Sequence, residues 1–449
     1  MESAMYYIEK ISKAVNSVVW GPIVLVFLIF VGVYFSFRFK FFQVRGINRW
    51  LVGTIKGFFK KSDDNSISSF QALTTSLAGA IGTGNIVGVA TAITLGGPGA
   101  VFWMWAGAFF GMMTIFAENV LGCLYKQKNS KGEVVGGPMY YIEKGMGKKW
   151  LAVVFCIACI GSTFGMGNIT QANSLAGALH KGFNIDPKFT AIGLAIIVAF
   201  ILFGGVRCIV SVSEKLVPFM ATFYILGGLI VIFINFNTLG TVFCNIFKDA
   251  FSFQSAGAGT MGFITSKAIK YGMARGTFSN EAGLGSSPII YAETNEDNPV
   301  KQGMLGIFQV FFDTIIGCSI TAFCILCTGA ADSGEEGVAL STRAFESVFG
   351  GFGGYFVAIS IVLFSFSTIV GWSYFGQRAF EYIFGLKSTI VYRAIYVVVV
   401  LFGSVMELNL VWELSDTFNG LMMIPNLIAI MVMSNKIVKE AKKWGIKRN

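Results

Sequence analysis

The sequence predicts an all-α polytopic membrane protein of about eleven transmembrane helices, and three observations carry that prediction. Hydrophobic residues make up 54% of the 449 and charged ones only 13%, far to the apolar side of soluble proteins. Windows of about twenty apolar residues fall near 18–37, 70–94, 101–125, 151–180, 190–206, 213–235, 260–292, 301–328, 351–376, 389–405 and 416–434. Runs such as IVLVFLIFVGV (23–33) and VYRAIYVVVVLFG (391–403) are continuously apolar, whereas strands of an outer-membrane barrel alternate in segments of about ten residues.

The first window follows a mixed-charge stretch with Glu9, Lys10 and Lys13 and is long enough to stay as a helix rather than be cleaved. Residues 1–69 are therefore expected to form an extra N-terminal helix and a basic linker. The other ten windows divide into two groups of five, 70–235 and 260–434, followed by a basic tail, 435–449. Five is odd, so the second group enters the membrane from the opposite side, as in an inverted repeat.

Orientation follows from Lys and Arg. Segments 38–69 (Arg38, Lys40, Arg45, Arg49, Lys56, Lys60, Lys61), 126–150 (Lys126, Lys128, Lys131, Lys144, Lys148, Lys149) and 435–449 carry most of the positive charge. The expectation is a multi-pass protein of the cell membrane with these segments and the C-terminus cytoplasmic and the N-terminus outside. The segment 329–342 is acidic, with Asp332, Glu335 and Glu336. The net charge of +10 then reads as a topology signal, with basic loops facing anionic lipid and no reason to propose nucleic acid.

The eight cysteines include two CxxC pairs, Cys156/Cys159 and Cys324/Cys327. Cys123, Cys156, Cys159, Cys208, Cys318, Cys324 and Cys327 lie within or at the edge of apolar runs, and the single histidine, His180, lies beyond the run of the first pair, so these seven read as small buried hydrophobes rather than a metal site. One histidine and no HExxH also leave no nucleophile, base or metal constellation, so no enzyme is expected.

The stretch LAGAIGTGNIVGVA (Leu77–Ala90) places Gly79, Gly82, Thr83, Gly84 and Asn85 inside an apolar span. Non-helical backbone survives at that depth only where it is buried in protein or lines a cavity. FSNEAGLGSS (Phe278–Ser287) is the matching glycine-interrupted stretch in the first window of the second group. Paired breaks at corresponding positions point to the binding site of an inverted-repeat transporter. Half-helix N–H groups there suit an anion and carbonyl ends suit a cation. Close helix packing explains Gly84 and Gly88 but not Thr83, Asn85 and the second break together; GTGNIVG is one residue too long for a dinucleotide fingerprint.

Asp313, in QVFFDTIIGC, is the clearest intramembrane carboxylate, a functional position by default with a hard cation as its natural partner, the alternative being a protonated or Lys/Arg-paired structural aspartate. Glu118 and Glu281 are expected to bond freed backbone, with Arg275 able to pair with either. Asn168, Gln171 and Asn173 form a polar cluster for which interhelical hydrogen bonding is the alternative use. Ser367 and Thr368 place two hydroxyls near Trp372, with Thr368 and Trp372 sharing a face at i, i+4; hydroxyl back-bonding within the helix is the alternative use.

The motifs GTGNIVGVATAITLGGPGAVFWMWAGAFFGM (Gly82–Met112), VVGGPMYYIEKGMG (Val134–Gly147) and GTFSNEAGLGSSPI (Gly276–Ile289) strongly resemble the alanine or glycine:cation symporter family, over nearly the whole chain. The resemblance implies a sodium-coupled importer of small neutral amino acids on the five-plus-five fold of the leucine-transporter type, with one extra N-terminal helix. It implies that the substrate carboxylate meets N–H groups of Thr83, Gly84 and Asn85 with Gln171 nearby, and that Thr368, Trp372 and Leu284 close the pocket. It further implies one co-transported sodium near Asn85, Ser279, Asp313 and Thr314. A second would lie among the carbonyls of Ala78 and Ile81 and the hydroxyls of Ser367 and Thr368. A proton-coupled carrier and an uncoupled facilitator or channel are the alternatives.

Overall fold

The structure, a computed structural model, describes residues 2–58, 67–251, 267–406 and 408–446. Lys60, Lys61 and residues 260–266 of the seventh predicted window lie outside the described residues. In chain order the principal helices are α1 (Glu2–Val19), α2 (Pro22–Arg38), α3 (Ile47–Gly57), α4 (Ser69–Ala80), α5 (Val89–Gly96), α6 (Gly99–Leu124), α7 (Lys149–Phe164), α8 (Thr170–Phe183), α9 (Pro187–Phe203) and α10 (Val206–Ile234). They continue with α11 (Phe236–Ala250), α12 (Lys267–Asn280), α13 (Ser287–Tyr291), α14 (Pro299–Val310), α15 (Ser319–Cys327), α16 (Gly337–Phe349), α17 (Gly351–Phe384), α18 (Thr389–Gly403), α19 (Leu408–Val432) and α20 (Ser434–Lys443). The segment between α6 and α7 carries a small antiparallel hairpin, β1 (Gln127–Lys128) with β2 (Val134–Val135).

Among the described residues eight helical stretches are long and apolar enough to span a membrane, nine when the bent pair α4 and α5 counts as one. The other two predicted windows are apolar helices only partly captured by that length test, and residues 260–266 of one of them lie outside the described residues. α9 has only 17 residues, and α12 with α13 is interrupted and diluted by Lys267, Lys270 and Arg275. The exposed faces of α9 and α10, with Phe189, Ile192, Ile196, Phe200, Phe219 and Phe233 outward, are those of helices solvated by lipid rather than water.

Local sequence sets the ends. Ser68 and Gln71 form a reciprocal capping box at the start of α4, Asp186 caps α9 ahead of Pro187, and Asn298 accepts from Val300 and Lys301 N–H ahead of Pro299; each device satisfies otherwise orphaned N–H groups. In the interior α6 runs between α12 and α14, α8 lies along α17, and α4 is flanked by α10 and α17. α17 approaches α4 so closely that a Cβ at Gly371 would lie 2.7 Å from the backbone nitrogen of Gly79.

One end of the bundle is tied together by many contacts. An isolated parallel bridge joins Ile67, just before α4, to Thr294, just after α13. Lys126 bonds Asp297 at 2.7 Å, and this ion pair holds the Asp297 carboxyl below its ordinary range. Lys436 of α20 reaches the Tyr125 hydroxyl at 2.6 Å.

Candidate functional site

Both predicted helix breaks exist, and they face each other. α4 stops at Ala80, Ile81 turns extended at ψ 95°, and after Gly82 and Thr83 the chain resumes as one π-helical stretch, Gly84–Gly88, that runs into α5. The two halves meet at 50°. π-helical turns leave backbone groups off the regular ladder and recur at functional sites. In the second break Glu281 adopts a left-handed conformation at φ 61°, and Gly283 and Gly285 have φ 96° and 78°, values that glycine takes without steric cost. A Cβ on Gly84 would lie 3.3 Å from Cα of Ser279, so the backbones of the two breaks touch.

The freed groups of the first break are satisfied by side chains. The Gly82 N–H donates to Asn85 Oδ1 at 3.0 Å and the Thr83 N–H to Gln171 Oε1 at 3.3 Å. Thr321 donates to the Asn85 carbonyl at 2.6 Å and Ser341 to that of Ile86 at 3.3 Å. Gln171 is therefore the member of its polar cluster that reaches the break. Asn168 bonds the Tyr396 carbonyl, and Asn173 those of Gly403 and Met406, so these two serve interhelical packing.

The four residues expected around a first cation converge. Asp313, on the π-helical segment Phe311–Cys318, accepts from Asn85 Nδ2 at 2.8 Å, from Ser279 Oγ at 2.9 Å and from Thr314 Oγ1 at 2.8 Å. Asn85 spends its side-chain oxygen on Gly82 and so meets Asp313 through nitrogen. Asp313 is fully buried, and no ion pair joins it to a basic side chain among the described residues. The second predicted set is brought together more loosely: Ser367 Oγ lies 3.5 Å from the Ala78 carbonyl and 3.3 Å from that of Ile81, and Thr368 Oγ1 lies 3.3 Å from the Ile81 carbonyl, while both hydroxyls back-bond the Phe364 carbonyl of their own helix at 2.8 and 3.0 Å.

Between these clusters, Gly82 packs against Thr368, and Gly167 packs against Trp372. A Cβ on Gly79 would lie 3.5 Å from Trp372 Cδ1 and 3.1 Å from Glu281 Oε1, which places Trp372 beside α4 just below the break. Thr83 Oγ1 is a buried polar atom with no hydrogen-bond partner among the described residues, and the Trp372 indole faces the Glu281 carboxylate. Thr83, Gln171, Asp313, Thr368 and Trp372 are each at most 1% exposed, so the centre is closed from both faces. Leu284 is fully buried in the second break; the glycines on either side of it pack on Leu28 and on Pro138 and Asn426.

Three features differ from expectation or were not legible. Arg275 pairs with neither Glu118 nor Glu281; it forms a two-pronged pair with Asp416 of α19 at 3.1 and 3.2 Å, because α12 turns that side chain outward toward α19. Glu118 meets freed backbone of the second break as expected, through the Gly283 N–H, and also accepts from Asn426, which bonds the Gly283 carbonyl; Glu281 instead accepts from the Ser286 hydroxyl across that break. Asn280 and Cys318 join the Asp313 cluster, at 3.1 Å from Thr314 Oγ1 and 3.3 Å from Ser279 Oγ. Asn280 sat beside Ser279 in the quoted motif, whereas Cys318 read only as a hydrophobe.

At the tied end, Arg378 of α17 is 4% exposed. It pairs with Glu293 beyond the second break at 2.7 Å, with Glu381 at 2.6 Å and with Glu133 of the hairpin at 3.6 Å. The Arg and Glu at i, i+3 in GQRAFEYIF were the available signal. Arg378→Met is expected to strand two buried carboxylates and cost about 3 kcal/mol or more, read as a lowered thermal unfolding midpoint of the solubilised protein.

The family model described as the sodium:alanine symporter family matches residues 5–449. The chain is 42% identical over 446 residues to the sodium/alanine symporter AgcS of Methanococcus maripaludis, covering 97% of each chain. It is 41% identical over 456 residues to the putative sodium/proton-dependent alanine carrier protein YrbD of Bacillus subtilis, covering 96% of this chain and 91% of that one. Among solved structures, MhsT in complex with L-phenylalanine is similar with a TM-score of 0.58 at 16% identity, over 85% of this chain and 93% of that one. That likeness shows the fold, which is of the leucine-transporter type.

Proposed function

The chain belongs to the sodium:alanine symporter family, a membrane transporter that couples an amino acid to a cation, and from that premise we propose that it is a sodium-driven importer of small neutral amino acids, alanine and glycine foremost. The observation that carries this reading is Asp313: a fully buried carboxylate, with no ion-pair partner among the described residues, that ties the first break through Asn85 to the second through Ser279. A buried carboxylate is costly unless compensated, and a hard cation among oxygens is the compensation its surroundings suit.

In this reading one sodium binds near Asp313, Ser279, Thr314 and Asn85, and a second among Ala78, Ile81, Ser367 and Thr368. The substrate carboxylate meets the backbone of Thr83, Gly84 and Asn85 with Gln171 beside it, taking the place of the Gln171 amide oxygen at the Thr83 N–H, and the Thr83 hydroxyl, without a hydrogen-bond partner among the described residues, supplies a further polar contact. Trp372, Thr368 and Leu284 bound the side-chain end, so bulky substrates are excluded. Residues 70–235 and 260–434 act as the two inverted repeats, residues 1–69 as the extra helix and linker and 435–449 as the basic tail, with the N-terminus outside.

Coupling is physical. A cation at Asp313 neutralises the site and orders both breaks, the same backbone that holds the substrate, so each ligand strengthens the other. One charge crossing about 100 mV supplies about 2.3 kcal/mol and a tenfold gradient about 1.4 kcal/mol. Together they sustain accumulation on the order of several hundredfold per ion.

The test is uptake of labelled alanine into proteoliposomes under an inward sodium gradient, with potassium substituted in parallel. Sodium-dependent accumulation above equilibrium is expected. The name of the YrbD relative keeps a proton-driven carrier as the second reading; uptake driven by a proton gradient and indifferent to sodium would establish it instead.

A further inference from the structure

Trp372 is fully buried and lies in a slot cut by two glycines. Its Cβ packs against Gly167, in the π-helical stretch Gly165–Ile169 between α7 and α8. On the other side its Cδ1 lies 3.5 Å from where a Cβ on Gly79 of α4 would stand. Phe375, three residues further along α17, meets the indole edge-on with 5.5 Å between ring centroids. These apolar contacts give the ring its place, but they are non-directional and do not choose where its N–H points.

The polar edge is answered by the second break. Glu281 Oε1 lies 3.1 Å from the same Gly79 Cβ position, so carboxylate and indole share one small space beside α4 and face each other. Neither Trp372 Nε1 nor Glu281 Oε1 has another hydrogen-bond partner among the described residues, whereas Glu281 Oε2 accepts from the Ser286 hydroxyl. A buried donor or acceptor left unpaired is costly, and each of these two is the other's nearest remedy. Glu281 is carried there by its left-handed turn at φ 61°, two residues beyond Ser279 of the proposed cation set.

We propose that Glu281 is a positioning residue for substrate selection: it holds the Trp372 indole, and through that ring it sets the side-chain room of the amino-acid pocket. The inference rests on the reading of Trp372 as a wall of that pocket. With the acceptor in place the ring keeps one orientation; without it, the indole is free to turn and the pocket admits a longer side chain. Because Ser279 and Glu281 share one short stretch, a cation that orders the break also seats the wall.

The test is a ratio of affinities on the full chain in detergent with sodium present. Displacement of labelled alanine is measured with alanine and with 2-aminobutyrate, which is larger by one methylene; the wild type is expected to favour alanine about tenfold or more. Glu281→Gln should keep the ratio, its amide oxygen accepting from the indole and its NH2 group donating to Ser286. Glu281→Met should lower it about fivefold, the factor that one net hydrogen bond contributes. In a Trp372→Phe background, which lacks the N–H, Glu281→Met should change the ratio no further, the non-additivity expected of a contacting pair. Should Glu281→Met not fold, Glu281→Asp takes its place: it keeps the charge but is one methylene too short to reach both Ser286 and the indole, and the ratio should again fall. A carboxylate that only closes the break would weaken both amino acids alike, so an unchanged ratio in Glu281→Met or Glu281→Asp would overturn the proposal. A further fall in the Trp372→Phe background, equal to that in the wild type, would overturn it as well. A wild-type chain that binds no alanine at any sodium concentration would contradict the transport reading itself, and the pocket with it.

Discussion

Asp313→Asn should abolish sodium-driven accumulation of alanine while leaving the protein folded. The substitution keeps size and polarity but removes the charge at the junction of the two breaks. Removing one partner of a buried charge pair costs about 2–5 kcal/mol, which lowers apparent sodium affinity about 30-fold or more. The hydrogen bonds from Ser279 and Thr314 have an amide oxygen left to meet, so the unfolding midpoint should move little beside the change in transport. Sodium titrations of uptake and a melting curve on the same preparation separate the two effects. Wild-type sodium dependence in Asp313→Asn would remove this carboxylate from the coupling.

The second large effect is expected from Gly371→Ala. A methyl group there would sit 2.7 Å from Gly79 N and 3.1 Å from the Ala78 carbonyl carbon. Backbone cannot yield as a side-chain tip does, so α17 must move away from α4. Overpacking of this kind costs about 1–3 kcal/mol. Its functional cost should be larger, because Ser367 and Thr368 lie within one turn of Gly371 and their hydroxyls would lose the Ala78 and Ile81 carbonyls. Uptake should fall at least tenfold, with a raised sodium requirement that higher alanine does not rescue. Near-normal sodium dependence would show that this oxygen set binds no cation needed for transport.

What was readable in the sequence shares one property: the signal was local. Glycines flanking Thr83 and following Glu281 inside apolar runs announced both breaks, and an aspartate among FF and II announced itself. The hydroxyls of Ser367 and Thr368 were visible as a pair, and their carbonyl partners followed from the resemblance. What was not readable depends on partners distant in the chain. Arg275 meets Asp416 across 141 residues, and Asn426 joins Glu118 to Gly283 across 308 and 143. The hairpin that brings Glu133 to Arg378 lies in a segment that reads as a basic loop, because two-residue strands leave no periodicity.

The central claim is that one set of broken-helix contacts binds cation and substrate together, and reciprocal binding tests it most directly. Alanine affinity is measured on the purified protein as sodium is raised, and sodium affinity as alanine is raised. Sodium-coupled symport through the Asp313 junction predicts that each ligand tightens the other by the same factor, as linkage requires, and that Asp313→Asn reduces that factor toward one. Alanine binding that is indifferent to sodium in the wild-type protein would contradict it.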